Sequence, residues 1–375
     1  MSRESSIGRP CNGAAPARSA GGGGLVQADG PAPRGGAGAR SRSGSLLVVS
    51  RTGGVSAEPR VVAVVVAYNR RDLLVESLDA LAGQTRAVDA VLVVDNRSDD
   101  DSAVVASEHP VGATVLEMSR NTGGAGGFAA GIAHAVESMD ADLVWLMDDD
   151  TIPLPGALEA LLEARAAYPG PVALLGSRVV WHDGREHPMN TPRTRPGASP
   201  RALSRAAEAG SLPVRSSSFV SMLVDARAVR HHGLPVADYF IWNDDFEFSC
   251  RLLRHGTGLY VPGSVVEHRT RTFGATDVDP GERFYYEVRN KLWMLLRSPA
   301  LAPEERVLYA GSSARRWART FARSSRRSVL VRSAARGLRD GLVRGPRPTS
   351  QVLAGATPWG DEVVAIEDGV RTGGR

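Results

Sequence analysis

The chain has little of what secreted and membrane-spanning proteins carry. Its 375 residues include two cysteines, Cys11 and Cys250, which are too few for a disulfide framework and favour a reducing compartment. No run of eighteen consecutive apolar residues is present, so no membrane-spanning helix is expected. Residues 1–45 also lack the apolar core of a signal peptide. These absences predict a cytoplasmic protein.

Lysine is almost absent as well, since Lys291 is the only one among 45 basic residues. We attribute this bias to a GC-rich genome rather than to selection for guanidinium chemistry. The formal net charge is +4, and the pI is about 9.4. The apolar content of 42% is slightly low for a globular chain of this size, which indicates that part of the chain is not globular.

Low-complexity sequence occupies residues 1–58, which are rich in Gly, Ala, Ser, Pro and Arg. Such a stretch cannot bury enough apolar surface to offset its ordering entropy, so we predict a disordered tail. Order is predicted to begin at Arg60, because Val61 to Ala67 is a continuous, mostly β-branched run, typical of a strand buried on both faces. A folded domain over residues 59–297 is therefore expected.

Apolar runs and helical patterns alternate within this domain. The run Ala90 to Val94 ends in Asp95, and the run Leu143 to Met147 ends in three aspartates. This alternation predicts an α/β fold with a Rossmann-like, mostly parallel mixed sheet and flanking helices. Ligands of such sheets lie outside the carboxyl ends of the strands. Asn69, Asp95, Arg120 and the aspartates are expected there.

Three later segments depart from this alternation. Residues 182–213 are rich in Pro, Arg, Ser and Gly and are predicted to form a long mobile loop. Thirteen arginines face three acids between Arg297 and Arg347, so a basic helical region is predicted over 298–347, followed by a flexible tail over 348–375. The basic region either lies on the anionic inner face of the plasma membrane or packs on the core with a solvated face. Nucleic-acid binding is disfavoured because its aromatic residues have helical core spacing.

Three consecutive aspartates, Asp148, Asp149 and Asp150, directly follow a predicted strand. Carboxylates this close raise each other's pKa unless a cation neutralises them. Mg²⁺ and Mn²⁺ prefer oxygen ligands and share them with phosphates, so the strand-end position predicts a metal-diphosphate site. The run Asp99–Asp101 is equally acidic but lies in a plain loop, and it is interpreted as a solvated turn.

Other candidates each have a structural alternative. Asp244 and Asp245 lie among aromatic residues that would desolvate a carboxylate and make it a better base, or they begin a helix whose dipole favours acids. His268 ends a strand-like run and is either a metal ligand or a structural histidine. The Gly123 to Gly127 segment either lets a nucleotide approach a helix N-terminus or allows close helix packing.

Taken together, these segments resemble the GT-A glycosyltransferases of family 2, and in particular the actinobacterial galactofuranosyltransferases. The matching segments occur in the family's order within residues 60–297. They are Val64 to Arg70, Val93 to Asn96, Arg120 to Phe128, Met147 to Asp150, Trp242 to Glu247 and Arg283 to Asn290.

The resemblance implies a role for each matching residue. The implied donor-binding residues are Ala67, Asn69 and Asp95 at the uridine, Arg120 and Gly124 in the donor pocket, and Asp149 at the donor sugar. The implied ligands of Mn²⁺ or Mg²⁺ are Asp148, Asp150 and His268. Asp245 would be the general base, with Asp244 binding hydroxyls beside it. Because Asn243 follows Trp242 where some relatives have the first aspartate, the choice between Asp244 and Asp245 stays open.

The function implied by the resemblance is an inverting, metal-dependent sugar transfer in cell-envelope polysaccharide synthesis. UDP-galactofuranose would be the donor, and a glycan or polyprenyl-diphosphate-linked molecule the acceptor. Rhamnosyl or other hexosyl donors stay open, as do a non-catalytic sugar-nucleotide-binding module and the oligomeric state. A nucleotidyltransferase is disfavoured, because it would carry a Gly-rich loop with a nearby Lys or Arg where this chain has Ala67 to Arg71.

Overall fold

The computed structural model describes residues 58–270, 272–273 and 279–373, which fall within one compact unit. Apart from Glu58, the predicted disordered tail of residues 1–58 lies outside the described residues. The strands are β1 Val61–Ala67, β2 Ala90–Asp95, β3 Thr114–Glu117, β4 Leu143–Asp148, β5 Thr151–Pro153, β6 Leu174–Val180, β7 Arg193–Thr194, β8 Leu212–Ser216, β9 Met222–Asp225 and β10 Gly258–His268. The α-helices are α1 Arg71–Ala82, α2 Ser102–Glu108, α3 Gly123–Glu137, α4 Ala157–Ala167, α5 Pro200–Glu208, α6 Ala226–His232, α7 Asp244–Leu252, α8 Phe284–Leu296, α9 Pro303–Arg323, α10 Arg327–Val343, α11 Thr349–Leu353 and α12 Gly360–Gly373.

The sheet is mixed, with the strand order β3-β2-β1-β4-β9-β6-β10-β8-β7 and with β5 paired to β10. The four strands β3, β2, β1 and β4 run parallel, whereas β9 is antiparallel to both of its neighbours. β10 is parallel to β6 but antiparallel to β8 and β5. The predicted α/β fold with a mostly parallel mixed sheet and flanking helices is confirmed. The strands that run parallel without interruption, β3, β2, β1 and β4, belong to the N-terminal half of the domain.

β1 shows why this half of the sheet is covered on both faces. Its even-numbered valines (62–66) join a core with α3, and its odd-numbered residues (61–67) join a second core with α1 and α4. Successive side chains of a strand point to opposite faces, so a continuous apolar run needs a helix layer on each side. On one face α3 comes very close: a Cβ at Gly127 would lie 2.7 Å from Val66 Cγ1. Gly127 therefore allows close packing of α3 on β1.

The predicted long loop over 182–213 is wrong over its second half, which contains β7, α5 and the start of β8. The N-terminus of α5 has a local signal, because the Ser199 side chain accepts a hydrogen bond from Ala202 N at 3.3 Å and Pro200 begins the helix. Ser at the N-cap with Pro at the first position is a common helix start. The Pro- and Ser-rich composition that suggested a loop thus includes a helix cap.

The predicted flexible tail over 348–375 is also wrong within the described residues. The helices α11 and α12 place Val352, Leu353, Val363 and Ile366 in the same core as β1 and α3. Burial of these apolar side chains stabilises the segment by roughly 1.5–3 kcal/mol for each fully buried one. These few apolar residues are scattered through a segment rich in glycine and acidic residues, so its composition did not indicate helices packed on the core.

The basic region contains the helices α9 and α10, which differ in how much of their surface is buried. α10 packs on α8 so closely that a Cβ at Gly337 would lie 2.8 Å from the Tyr285 carbonyl oxygen. α9 buries only Ser313, while Val307 and Leu308 are 73% and 71% exposed. No helix of the described part is both long and apolar enough to cross a membrane.

Candidate functional site

Three strand ends meet at one edge of the sheet. The parallel register places Ala67 of β1 opposite Asp95 of β2 and Val66 opposite Asp148 of β4. The Asp149 amide continues the pairing by donating to the Val66 carbonyl oxygen at 3.2 Å. The polar residues predicted at strand ends are therefore gathered by backbone pairing alone.

The predicted metal ligands converge at this edge. Asp148, Asp150 and His268 each offer a ligand atom, and these atoms all lie within 4.8 Å of one another. His268 reaches the aspartates because β10 pairs antiparallel with β5, opposite Thr151. Its Nε2 lies 3.2 Å from Asp150 Oδ1. Neighbouring ligands on an octahedral ion at about 2.1 Å are roughly 3 Å apart, so the spacing fits Mg²⁺ or Mn²⁺.

A hydrogen bond from outside the predicted set fixes the tautomer of His268. Its Nδ1 lies 2.9 Å from Asn190 Oδ1, while Asn190 Nδ2 donates to Ser218 Oγ at 3.2 Å. The Asn190 oxygen therefore accepts the Nδ1 proton, and Nε2 faces Asp150 Oδ1; burial opposes protonation of His268, but the contact with Asp150 raises its pKa. That oxygen is buried and has no other hydrogen-bond donor among the described residues. Two acceptors at this distance require a proton or a metal ion between them.

Burial disfavours the ionised form of two carboxyl groups in the aspartate cluster. It raises the pKa of Asp148 to about 6, with a further contribution from the Asp150 charge. Burial likewise raises the pKa of Asp149 to about 7, although the Arg70 charge opposes the shift. Both shifts mean that a cation at the cluster is favourable.

Arg70 was not among the predicted site residues, although it lies in the segment that follows β1. Its Nη1 donates to Asp149 Oδ1 at 3.2 Å and also to Asp150 Oδ2. Asp149 additionally accepts from Tyr68 N at 2.8 Å, so its carboxylate joins the ends of β1 and β4. The contact of Asp149 with a donor sugar stays a prediction.

On the β2 side, Asp95 has the free acceptor that a nucleobase requires. The residue is 3% exposed, and its Oδ2 accepts from Ser98 N at 3.0 Å. Its Oδ1 is buried and accepts no hydrogen bond from any residue that the structure describes. A buried acceptor without a donor is costly unless a ligand supplies one.

The other predicted uridine contacts have structural partners. Ala67 is fully buried, and its carbonyl accepts from Asn96 N at 2.9 Å. Asn69 has a positive φ of 54°, and its Oδ1 accepts from Asp99 N at 2.7 Å. Asp99–Asp101 is exposed, which agrees with the predicted solvated turn. Contacts of Ala67 and Asn69 with a uridine stay predictions.

The glycine-rich segment and Arg120 differ in where they lie. A Cβ at Gly124 would lie 4.0 Å from Asp244 Oδ2, so Gly124 adjoins the carboxylate pair. Gly123 has a φ of 71°, and a Cβ there would lie 1.9 Å from the Phe240 carbonyl oxygen. Arg120 is exposed and donates from Nη2 to the Val352 carbonyl at 2.6 Å. Arg120 thus forms a hydrogen bond to the backbone of α11, and its role in donor binding stays a prediction.

A strained loop precedes the Asp244–Asp245 pair. Phe240, Trp242 and Asn243 all have positive φ values, of 64°, 66° and 65°. Such conformations cost roughly 1–3 kcal/mol each in residues other than glycine, and they persist only where the surroundings hold them. The left-handed turn at Asn243 starts α7, which places both aspartates in its first turn.

Arg289 and Asn290 hold this loop in place. Asn290 is fully buried, and its Nδ2 donates to the carbonyls of Tyr239, Ile241 and Trp242 at 2.9, 3.0 and 2.8 Å. Arg289 Nη2 donates to the Asp238 carbonyl at 2.6 Å. Its Nε also donates to Asn290 Oδ1 at 3.0 Å, which orients the amide. We call these two residues the carbonyl clamp.

The two aspartates are not equivalent. Burial raises the pKa of Asp244 well above its usual range, and the Asp245 charge adds to the shift. Burial also raises the pKa of Asp245, but its hydrogen bond from Phe246 N and the charges of Arg193 and Lys291 oppose the shift. Of the two carboxyl groups, Asp244 therefore holds a proton more readily than Asp245.

Comparison with known proteins finds one matching family model and similar curated proteins. Residues 62–228 match the model of Glycosyl transferase family 2. The chain is 35% identical over 201 residues to galactofuranosyltransferase GlfT1 of Mycolicibacterium smegmatis, covering 52% of this chain and 66% of that protein. It is 38% identical over 200 residues to GlfT1 of Mycobacterium tuberculosis, covering 52% and 65%. The chain thus spans just under two thirds of the length of these relatives.

Solved structures agree on the fold. The crystal structure of S. aureus TarS 1–349 in complex with UDP-GlcNAc has a TM-score of 0.53 and 15% sequence identity, covering 84% of this chain and 92% of that one. The crystal structure of S. aureus TarS has a TM-score of 0.54 at the same identity, covering 84% of this chain and 54% of the other. At this identity the likeness supports the fold alone.

Proposed function

We propose that this chain, which belongs to glycosyl transferase family 2 through residues 62–228, carries out an inverting, metal-dependent sugar transfer. The observation that carries the proposal is the convergence of a candidate metal triad and a buried carboxylate pair at one edge of the sheet. We propose galactofuranose from UDP-galactofuranose as the sugar, since relatives at 35% and 38% identity are named galactofuranosyltransferases.

The residues that would hold the metal and the nucleotide lie on the donor side. Asp148, Asp150 and His268 would hold Mn²⁺ or Mg²⁺, which when bound neutralises charge on a departing diphosphate. Asp95 would accept the N–H of the uracil ring with its unpaired Oδ1. Arg70 would turn from the aspartates toward a phosphate once the cluster is neutralised, because its guanidinium is half exposed.

On the acceptor side, Asp245 would act as the general base. In a single displacement the attacking oxygen and the leaving group lie on opposite faces of the anomeric carbon. Asp245 removes the proton of the acceptor hydroxyl as that oxygen attacks. Its raised pKa makes it a stronger base than an exposed aspartate, and the charges of Arg193 and Lys291 favour its ionised form. Asp244 would donate a hydrogen bond to a sugar hydroxyl.

The donor site is tested by nucleotide binding. We expect UDP with Mn²⁺ to raise the Tm of the wild-type chain, and Asp95→Ala to weaken UDP binding about tenfold, because one buried hydrogen bond is lost. Calorimetric titration gives both affinities, with Asp99→Ala as the exposed control. Equal UDP affinity in the two variants would remove Asp95 from the site. A panel of transfer assays with UDP-galactofuranose, dTDP-rhamnose and UDP-hexopyranoses then identifies the donor.

We further propose that α9 brings the site to a lipid-linked acceptor by lying on an anionic membrane. Its exposed Val307 and Leu308 precede a cationic stretch with Arg315 and Arg319, a pattern suited to such surfaces. We expect the double variant Val307→Ser/Leu308→Ser to lower co-flotation with phosphatidylglycerol vesicles by roughly tenfold. The control is Leu203→Ser, which removes a 45% exposed leucine from α5. Equal flotation of all three proteins would overturn the membrane proposal.

A further inference from the structure

The only lysine of the chain is buried beside the candidate base. Lys291 lies on α8 and is 5% exposed, and its Nζ is 4.7 Å from the centroid of the Phe246 ring. Within the described residues the amine donates no hydrogen bond and has no carboxylate within ion-pair distance. A buried ammonium group is costly unless an anion or acceptor compensates it. Lys291 therefore lacks a partner.

A second cation converges on the same ring. Arg193 of β7 is exposed, and its Cζ is also 4.7 Å from the Phe246 ring centroid. Its described hydrogen bond is to the Tyr309 hydroxyl, and no carboxylate of the described part pairs with it. The charges of Arg193 and Lys291 both act on Asp245. Two positive charges thus face one carboxylate.

The nearest acid does not cancel this excess. Glu287 lies one helical turn before Lys291, but its carboxylate accepts from Arg316 Nη2, from Trp317 Nε1 at 3.1 Å and from Asn243 Nδ2 at 3.0 Å. Its charge is already paired by Arg316. Of the charges that act on the Lys291 amine, Glu287 favours its ammonium form, whereas Arg316 and Arg193 oppose it, and an anion bound there would relieve this repulsion.

We propose that Lys291 and Arg193 form an anion subsite that binds a phosphate group of the acceptor next to Asp245. The inference rests on the proposed function, which assigns Asp245 to the acceptor side. The donor diphosphate belongs with Asp148, Asp150 and His268, on the opposite face of the reacting carbon. An ammonium and a guanidinium together supply point charge and paired donors, which suit phosphate oxygens. The acceptor class is thereby narrowed to phosphate-bearing molecules.

The test is pyrophosphate binding to the full chain in EDTA, measured by calorimetry, so that no metal can hold the anion. We expect Lys291→Met and Arg193→Met each to weaken binding at least about tenfold, and Lys291→Arg to keep most of the affinity. Arg201→Met, on exposed α5, is the matched control. If Lys291→Met does not fold, Arg193→Met decides, because its side chain is on the surface.

Each outcome has one meaning. Failure of pyrophosphate to bind the metal-free wild type, or wild-type affinity in both Lys291→Met and Arg193→Met, would overturn the subsite. Binding that appears only with Mn²⁺ would assign the anion to the donor diphosphate site and also overturn it. UDP titration with Mn²⁺ of the same proteins separates the two proposals. If the wild type does not bind UDP, the proposed transferase function is contradicted. Pyrophosphate binding in EDTA, in contrast, concerns the anion subsite alone.

A pH series adds an independent readout with sulfate, which stays a dianion throughout. Burial lowers the pKa of Lys291 to about 8, so the amine loses its proton between pH 7 and 9. Sulfate affinity should fall over this range in the wild type and not in Lys291→Arg. An equal pH response in the two proteins would exclude the amine. The other titratable or charged groups acting on the amine are Glu287, Arg316, Arg193 and Cys250, and the amine itself acts on Asp245, whose charge in turn acts on Asp244.

Discussion

Replacement of Asp245 by asparagine is expected to lower kcat by roughly 10²–10⁴, because the acceptor hydroxyl loses the group that removes its proton. The fold should persist, since the asparagine Oδ1 can still accept from Phe246 N, as the carboxylate does at 2.6 Å. UDP affinity with Mn²⁺ should also persist. Initial-rate transfer assays together with calorimetry measure the two quantities separately.

Two further variants make the Asp245 result interpretable. Asp244→Asn should cost less in kcat than Asp245→Asn, because burial favours the uncharged form of the Asp244 carboxyl, which an amide resembles. Asp99→Asn removes an exposed acid and should leave transfer unchanged. Near-normal transfer by Asp245→Asn with intact donor binding would show that this residue is not the base. A larger loss in Asp244→Asn would exchange the two roles.

Replacement of Asn290 by aspartate is expected to have the next largest effect. The change keeps the size of the side chain and the oxygen that Arg289 contacts, but it removes the Nδ2 donor shared by three carbonyls. The free energy of unfolding should fall by about 3 kcal/mol, because buried carbonyls lose their donor and face a charge. kcat should fall about 10²-fold as the strained loop relaxes and moves the aspartates.

The control for Asn290 is another buried amide that binds carbonyls. Gln84 is 7% exposed and donates from Nε2 to the Ala80 and Leu154 carbonyls, both at 3.0 Å. Gln84→Ala should reduce stability in urea unfolding without changing kcat. If Asn290→Asp loses stability but keeps kcat in the same way, the carbonyl clamp is a structural feature alone and does not position the base.

The candidate site residues at the ends of β2 and β4 could be predicted, because the sequence pattern that indicates them lies next to them in the chain. The parallel strands β2 and β4 end in Asp95 and Asp148, so the apolar runs before these two residues indicated both the strands and the position of their ends. The same reasoning separated Asp148–Asp150 from the exposed Asp99–Asp101 turn. Position in a βαβ unit, rather than acidity, carried that prediction.

The residues that sequence reasoning missed act through contacts distant along the chain. Asn190 bonds to His268 across 78 residues, and Arg70 bonds to Asp150 across 80. Asn290 reaches carbonyls 48 to 51 residues earlier. The resemblance already contained Arg70 and Asn290, but one sequence gives no reason to expect that a side-chain amide holds a strained backbone. Only the folded arrangement shows which donor meets which acceptor.

The docking of α11 and α12 has a consequence for synthesis on the ribosome. The apolar face that Val62 and Val64 present is completed by Val352, Leu353, Val363 and Ile366, and Ser119 N reaches the Ala356 carbonyl at 2.9 Å. The core that contains β1 thus includes residues that are synthesised after all the described strands of the sheet. A nascent chain in which α11 and α12 are not yet made exposes part of this core to chaperones.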